Sequence, residues 1–188
     1  PGATMLTGMQ ASARGGWLRI ALLRLGAWLL DCFFVFWWVM IIGSVVIPLY
    51  LGGLTGALGP IGANVLTAVL IILPVTGVLA YQESSERRST FGKRLLRLSV
   101  TDAAGARLRP GRAVARNLVK FGVPWVFAHA AFVGLWQVSG PRVPAGLWPL
   151  LAVAYLVPLV LVVSLFAGRG IAIHDRVARS RVTWSPEG

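Results

Sequence analysis

Residues 25–50 read LGAWLLDCFFVFWWVMIIGSVVIPLY. A membrane-spanning helix needs about 20 mainly apolar residues, and this stretch exceeds that with one charge, Asp31. It is also too long for the core of a cleavable signal peptide, and no small-residue cleavage site follows a short core. Three further stretches match it: 61–82, which is uncharged, 121–138, which contains His129, and 147–167. Residues 143–168 carry no charge at all. The composition agrees. Of 188 residues 56% are hydrophobic and only 13% charged, about half the usual 25% of a soluble domain. The mean hydropathy is +0.74. Such a chain is neither a water-soluble globule nor a disordered polymer.

The 18 Lys and Arg stand against 6 Asp and Glu, a net charge of +12. Their position gives the excess its meaning. Arg14, Arg19 and Arg24 precede the first span. Arg87, Arg88, Lys93, Arg94, Arg97, Arg107, Arg109, Arg112, Arg116 and Lys120 lie between the second and third. Arg169, Arg176, Arg179 and Arg181 follow the fourth. Arg142 alone falls on the other side. By the positive-inside rule this places both termini and the loop 83–120 in the cytosol of a bacterial-type inner membrane. Trp136 and Trp148 flank the short outer loop, where an aromatic belt is expected, and Trp125 falls near the inner boundary. The run Phe33–Trp38 reads as lipid contact and helix packing. Pro48, Pro74, Pro124 and Pro158 interrupt the four spans; each removes a backbone hydrogen bond and invites a kink, which shapes the bundle or opens a cavity.

The loop is patterned. Phe91, Leu95 and Leu98 recur at helical spacing, with Lys93, Arg94 and Arg97 off the stripe, which predicts an amphipathic helix on the inner leaflet. The segments RLSV and ARLR around Asp102–Gly105 predict a short β-hairpin. Pro110 and Gly111 open another helix whose Arg112, Arg116 and Lys120 repeat every fourth residue. Anionic lipid headgroups account for these cations, with Arg94, Arg97, Arg112, Arg116 and Lys120 as the contacts. The loop has no interleaved aromatics and no nucleic-acid-reading module, so nucleic acid is not expected as a partner. The fold class is therefore an all-α membrane protein. Residues 1–188 form a single domain, a four-transmembrane-helix bundle with amphipathic cytosolic interfacial helices and a short β-hairpin in the middle loop.

A charge within a span is costly, about 2.5–3.5 kcal/mol at the centre on insertion scales, so Asp31 needs a partner. Arg24 lies two helical turns earlier, about 10.5 Å along the axis, with the small Ala27 between them. Asp175, which follows the fourth span, should sit near the inner boundary, level with Arg24, so Arg24 can bond Asp31, Asp175 or both. Counted from the inner end, Asp31 lies about 9 Å deep and His129 about 12 Å deep. Their matched depth suggests a titrating pair that handles protons or cations; the alternative is a solitary histidine bonded to the backbone. Cys32 reads as a small apolar filler. As the only cysteine it excludes an internal disulfide framework or a multi-cysteine metal site. No metal and no cofactor is expected.

The string RLGAWLLD, Arg24–Asp31, matches the Arg-x-x-Ala-x-x-x-Asp signature of RDD family membrane proteins. The string TFGKRLLRLSVTDAAGARLRPGRAVARNL, Thr90–Leu118, looks like that family's T-x-G-K-R-x-x-G-L-x-V-x-D-x-x-G stretch and the basic helix after it. IAIHDRVARSRV, Ile171–Val182, is similar to its closing H-D-x-x-x-x-T-x-V segment. The resemblance covers about Leu23 to Val182 and implies that Arg24, Asp31 and Asp175 are the name-giving residues. Arg97 stands where a glycine is common and Ser180 where a threonine is common; His129 matches no motif. The resemblance further implies transport of unidentified ligands, cation/proton antiport in some members, and accessory or scaffolding roles in others.

Two functions follow. The first is a transporter of a small ligand or cation, proton-coupled through Asp31. The second is a scaffold or accessory subunit of a membrane complex, in which Arg24, Asp31 and Asp175 form a structural clamp. Four helices make a small transporter, and no internal repeat is visible, so a homo-oligomer or a membrane-complex partner is expected. No nucleophile elbow, zinc motif or phosphate loop is present, which argues against an enzyme.

Overall fold

The computed structural model describes residues 2–53, 58–136, 138, 140, 142–167 and 170–184, with the side chains of 2–15, 50 and 60 left aside. Arg169, the side chain of Arg14 and residue 137 of the third predicted span lie outside the described residues. Helix α1 runs Gly2–Leu51. Helix α2 (Gly59–Thr67) passes through a π-helical turn (Ala68–Ile72) into α3 (Leu73–Ser84). Helix α4 (Phe91–Leu95) and strand β1 (Leu98–Asp102) follow. Helix α5 (Pro110–Asn117) passes through a second π turn (Leu118–Gly122) into α6 (Val123–Trp136). A short 3₁₀ turn leads into α7 (Trp148–Phe166), then α8 (Ile173–Ala178) and β2 (Ser180–Trp184).

Four helical segments are long and apolar enough to cross a membrane: Gly16–Leu49, Ile61–Ser84, Pro110–Trp136 and Ala145–Phe166. The third begins earlier than the sequence indicated. The basic helix of the loop is not a separate interfacial element but the first turns of that span, because nothing between Asn117 and Val123 breaks the backbone.

Both π turns precede a proline by two residues, at Pro74 and Pro124. Proline has no N–H for the carbonyl four residues back, and a π turn is one way a helix absorbs the mismatch. At Pro74 the freed acceptor is Leu70. Its carbonyl takes a hydrogen bond from Trp38 Nε1 at 3.1 Å. Part of the FFVFWW run thus ties α1 to the second span. Elsewhere the run faces outward, as lipid-contacting aromatics do: Phe33, Phe36 and Trp37 are more than half exposed.

The loop departs from expectation in two places. The helix at Phe91 ends at Leu95, and Leu98 is buried at the start of β1. Arg97 adopts φ 55°, the left-handed conformation that ends the helix. The predicted hairpin within the loop is reduced to one bridge, Thr101 to Arg107. The partner of β1 is instead β2, antiparallel, with Val100 opposite Val182. Pairing with the chain's end lets Val182 pack on a small core of Ala80, Val100, Leu108 and Ala113. The Arg19 guanidinium stacks on the Trp184 ring at 5.0 Å, which fixes β2 against α1.

Candidate functional site: a buried ion network beneath an apolar cavity

Charged side chains gather where α1, α3, α4, α5 and α8 meet. Glu83, at the end of α3, is fully buried. Its carboxylate accepts from Lys93 Nζ and Arg116 Nη1 through one oxygen and from Asn117 Nδ2 at 2.9 Å through the other. Arg116 reaches a second acid, with Nε and Nη2 donating to Asp175 Oδ1 at 3.1 and 2.8 Å. The other oxygen of Asp175 accepts from Arg24 Nη2 and from the Ala172 N–H at 3.1 Å. A second nitrogen of Arg24 donates to the Gly170 carbonyl. Lys93, Glu83, Arg116, Asp175 and Arg24 thus form one continuous chain of alternating charge, every member at most 5% exposed.

The local sequence explains how these groups arrive. Arg116 and Asn117 are adjacent on α5, so one turn presents both to Glu83. Asp175 occupies the first turn of the six-residue α8, where a carboxylate satisfies a free N–H. In Asp175, burial pushes the carboxyl pKa up, but the guanidiniums of Arg116 and Arg24 outweigh it and hold it well below the usual carboxylate range. Lys93 is lowered by burial, an effect that Glu83 only partly offsets. His174 lies 3.5 Å from Arg24 Nη2; burial, and then Arg116, push its pKa well below the ordinary histidine value.

Asp31 belongs to a different joint. It is 2% exposed and accepts from the Thr90 hydroxyl at 2.7 Å and the Gly92 N–H at 2.9 Å. Gly92 is seated so closely on α1 that a Cβ would run into the Ala27 carbonyl oxygen and come within 2.9 Å of Asp31 Oδ1. The space at Ala27 therefore admits the loop backbone rather than a reach from Arg24 to Asp31. The edge-to-face pair Phe34–Phe91, with centroids 4.6 Å apart, packs beside it.

Among the described residues, neither the Asp31–His129 pair nor a histidine bonded to the backbone is formed. His129 Nδ1 lies 2.9 Å from Asn64 Oδ1 and Nε2 lies 3.0 Å from Thr67 Oγ1. Matched depth was not enough: α6 presents His129 to α2, while Asp31 faces α4. Arg116 and Lys120, expected at lipid headgroups, are buried in protein, at 1% and 9% exposure. The first turns of the third span pack against α3 and α8. Arg94 and Arg97 are exposed and Arg112 half-buried.

Glu83, Lys93, Asn117 and the pivotal place of Arg116 were missed. The available signal was scarcity. With six acids in the chain, one at the end of an uncharged span has to be explained as much as one inside it.

Beside the network, a cavity of about 450 Å³ opens between α1, α6 and α7. Arg24, Lys93, Arg116, Lys120 and His174 lie at one end of it. Trp28, Phe36, Trp125 and Pro158 are among its walls. Both Pro124 and Pro158 line it, so two of the helix-interrupting prolines border open space. Among the described residues no cluster of His, Cys, Asp and Glu is arranged to hold a metal ion.

A family model described as RDD family matches residues 20–179, a stretch that includes Arg24, Asp31 and Asp175. No curated protein and no solved structure matches the chain.

Proposed function

The chain belongs to the RDD family, and on that premise we propose that it is a non-enzymatic, multi-pass transporter of a small ligand. It sits in a bacterial-type cytoplasmic membrane with both termini and the charged end in the cytosol. The observation that carries this is the cavity between α1, α6 and α7. Its 450 Å³ lies in the range that holds a small organic molecule, and it runs from the ion network into the apolar bundle. The distribution of basic residues, all but Arg142 at one side, supports the orientation.

The cations at the cavity's end favour an anionic ligand over a metal cation. Proton coupling is assigned to Asp31. Glu83 and Asp175 cannot take a proton without stranding buried guanidiniums. Among the described residues Asp31 makes no direct ion pair; its hydrogen-bond partners are the Thr90 hydroxyl and the Gly92 N–H. In sealed proteoliposomes, pH-gradient-driven uptake should collapse in Asp31→Asn. Uptake that is the same in wild type and variant, or absent in both, sinks the proposal.

A second reading, an accessory subunit, draws on the ion network itself. Five buried charges shared by five elements form a rigid joint, suited to presenting a fixed surface to a membrane partner. A test by charge reversal of Arg24 and Asp175 is complicated by Arg116, which would then face a new arginine. Co-purification of a stoichiometric membrane partner, lost in Asp175→Asn, would favour this role.

A further inference from the structure

Four cations border the cavity's charged end, and three of them are spoken for: Arg24, Lys93 and Arg116 each have a carboxylate partner. Lys120 does not. It is 9% exposed and lines the cavity. No carboxylate of the described residues lies within ion-pair distance of it. The Phe121 ring lies 4.7 Å from Nζ to the centroid, and the carboxylates of Asp31 and Glu83 act on the ammonium only from beyond ion-pair distance. A buried ammonium with no carboxylate in direct contact is expensive to keep.

Two more polar groups on the same cavity are unsatisfied. Among the described residues the buried Nε1 of Trp125 has no hydrogen-bond acceptor, and Nδ1 of His174, a residue 4% exposed, has no partner. An indole N–H can only donate. An unpaired ammonium and an unpaired donor on one cavity define a receptor for an acceptor group with negative charge.

The rest of the cavity is apolar. Along α1 its lining runs from Arg24 to Met40, sixteen residues or about 24 Å of helix. Val39, Pro158 and Val162 line it alongside Met40. These residues belong to membrane-spanning helices, so the apolar part lies at the depth of lipid chains.

We infer that this cavity binds an amphiphilic anion, a carboxylate or phosphate head on one extended hydrocarbon chain, with Lys120 and the Trp125 N–H gripping the head. The inference rests on the cavity's being the ligand site of the transport reading and names the class of ligand. A membrane-borne single-chain acyl anion suits the elongated apolar lining better than a compact water-soluble ring acid. The ion network below holds Lys120's neighbours in fixed pairs, so that Lys120 alone is left for the ligand.

Equilibrium binding tests this without any flux. The full chain in phosphatidylcholine nanodiscs is titrated calorimetrically with oleate, with 1-naphthoate, with inorganic phosphate and with dodecyltrimethylammonium. Oleate is expected to saturate one site per chain, and the other three are not expected to displace it. Lys120→Met should weaken oleate by about 20-fold, the loss of one charge-assisted hydrogen bond, and Trp125→Phe by about 5-fold. Lys120→Arg should stay within a few-fold of wild type. Val39→Trp, which fills the apolar part and leaves the charged end intact, should abolish binding; it serves as the test if Lys120→Met does not fold.

Oleate affinity unchanged in Lys120→Met or Val39→Trp overturns the inference, as does equal displacement by dodecyltrimethylammonium. Displacement by 1-naphthoate at equal affinity overturns the acyl source. Oleate binding without uptake of any solute would overturn transport and leave this site standing. Solute uptake without oleate binding would do the reverse.

Discussion

The two halves of the bundle are held by different physics. At the charged end, Arg24, Glu83, Lys93, Arg116 and Asp175 interlock through directional, charge-assisted bonds, and almost no surface is left open. In the apolar half, α1, α6 and α7 touch through interchangeable hydrocarbon and leave a cavity. In a low-dielectric setting an ion pair has one good geometry, whereas lipid-facing side chains can be repacked with little penalty. The polar end is therefore specified residue by residue, and the apolar end tolerates open space.

The contrast is broken most severely at Arg116, the one residue that joins both acids of the ion network. Arg116→Met leaves Glu83 and Asp175 each short of a partner and should destabilise the protein by about 3–5 kcal/mol, read as a lowered melting point in detergent. A substitution of similar size in the apolar half, Val162→Leu, should shift it by under about 1.5 kcal/mol. Equal effects would mean the two halves are not held differently.

Gly92 is the next most sensitive point. A methyl there strikes α1 at Ala27, so Gly92→Ala should cost about 1–3 kcal/mol. It should also speed hydrogen exchange at Phe91–Leu95, while the β1–β2 pairing stays protected. Loss of protection in both would mean that the Asp31 joint and the ion network form one unit.

The pH response separates the network's members. Asp175 has a depressed folded value, so its stabilisation is present above the ordinary carboxylate pKa of about 4 and is lost only as pH falls below that. His174 is also depressed, which has the opposite meaning for a base. It is buried neutral, and below about pH 6.5 the unfolded chain binds a proton the folded chain refuses. Lowering the pH from 7 to 5 should therefore destabilise wild type by up to about 2 kcal/mol. In His174→Asn that loss should shrink; an unchanged pH slope would show that the histidine is not held neutral.

The smallest expected effect comes from Arg97. Its φ of 55° is tolerated by glycine at less strain, so Arg97→Gly should stabilise by about 1 kcal/mol. A destabilising result would mean the guanidinium makes a compensating contact.

Much of the scaffold was legible because membrane solvation is a harsh filter on sequence. Four uncharged or nearly uncharged stretches can be read directly as helices, since backbone groups in lipid must be satisfied internally. Counting depth from the inner boundary placed Arg24 and Asp175 at one level but left open whether Arg24 bonds Asp175 or Asp31. The same counting misled at His129, because depth says nothing about which way a helix is rotated. It also missed Glu83, which sits at the end of its span rather than in it. The strand at Leu98 was visible, but its partner lies some eighty residues on, and short-range pattern favours the nearest candidate.

The sequence by itself determined the number of spans, the side to which the basic residues keep, and the identity of the residues at the three motifs. Apolar length and charge position along the chain are one-dimensional quantities. Only the tertiary structure decided which of the four cations at the cavity's charged end are spent on acids and which one is not. Arg112, Arg116 and Lys120 follow the same spacing along one stretch of helix, yet Arg116 is bound by two carboxylates, Lys120 faces a cavity and Arg112 is half-buried. The pairing depends on the elements that docking places opposite each turn, and a charge's meaning is set by what lies across from it.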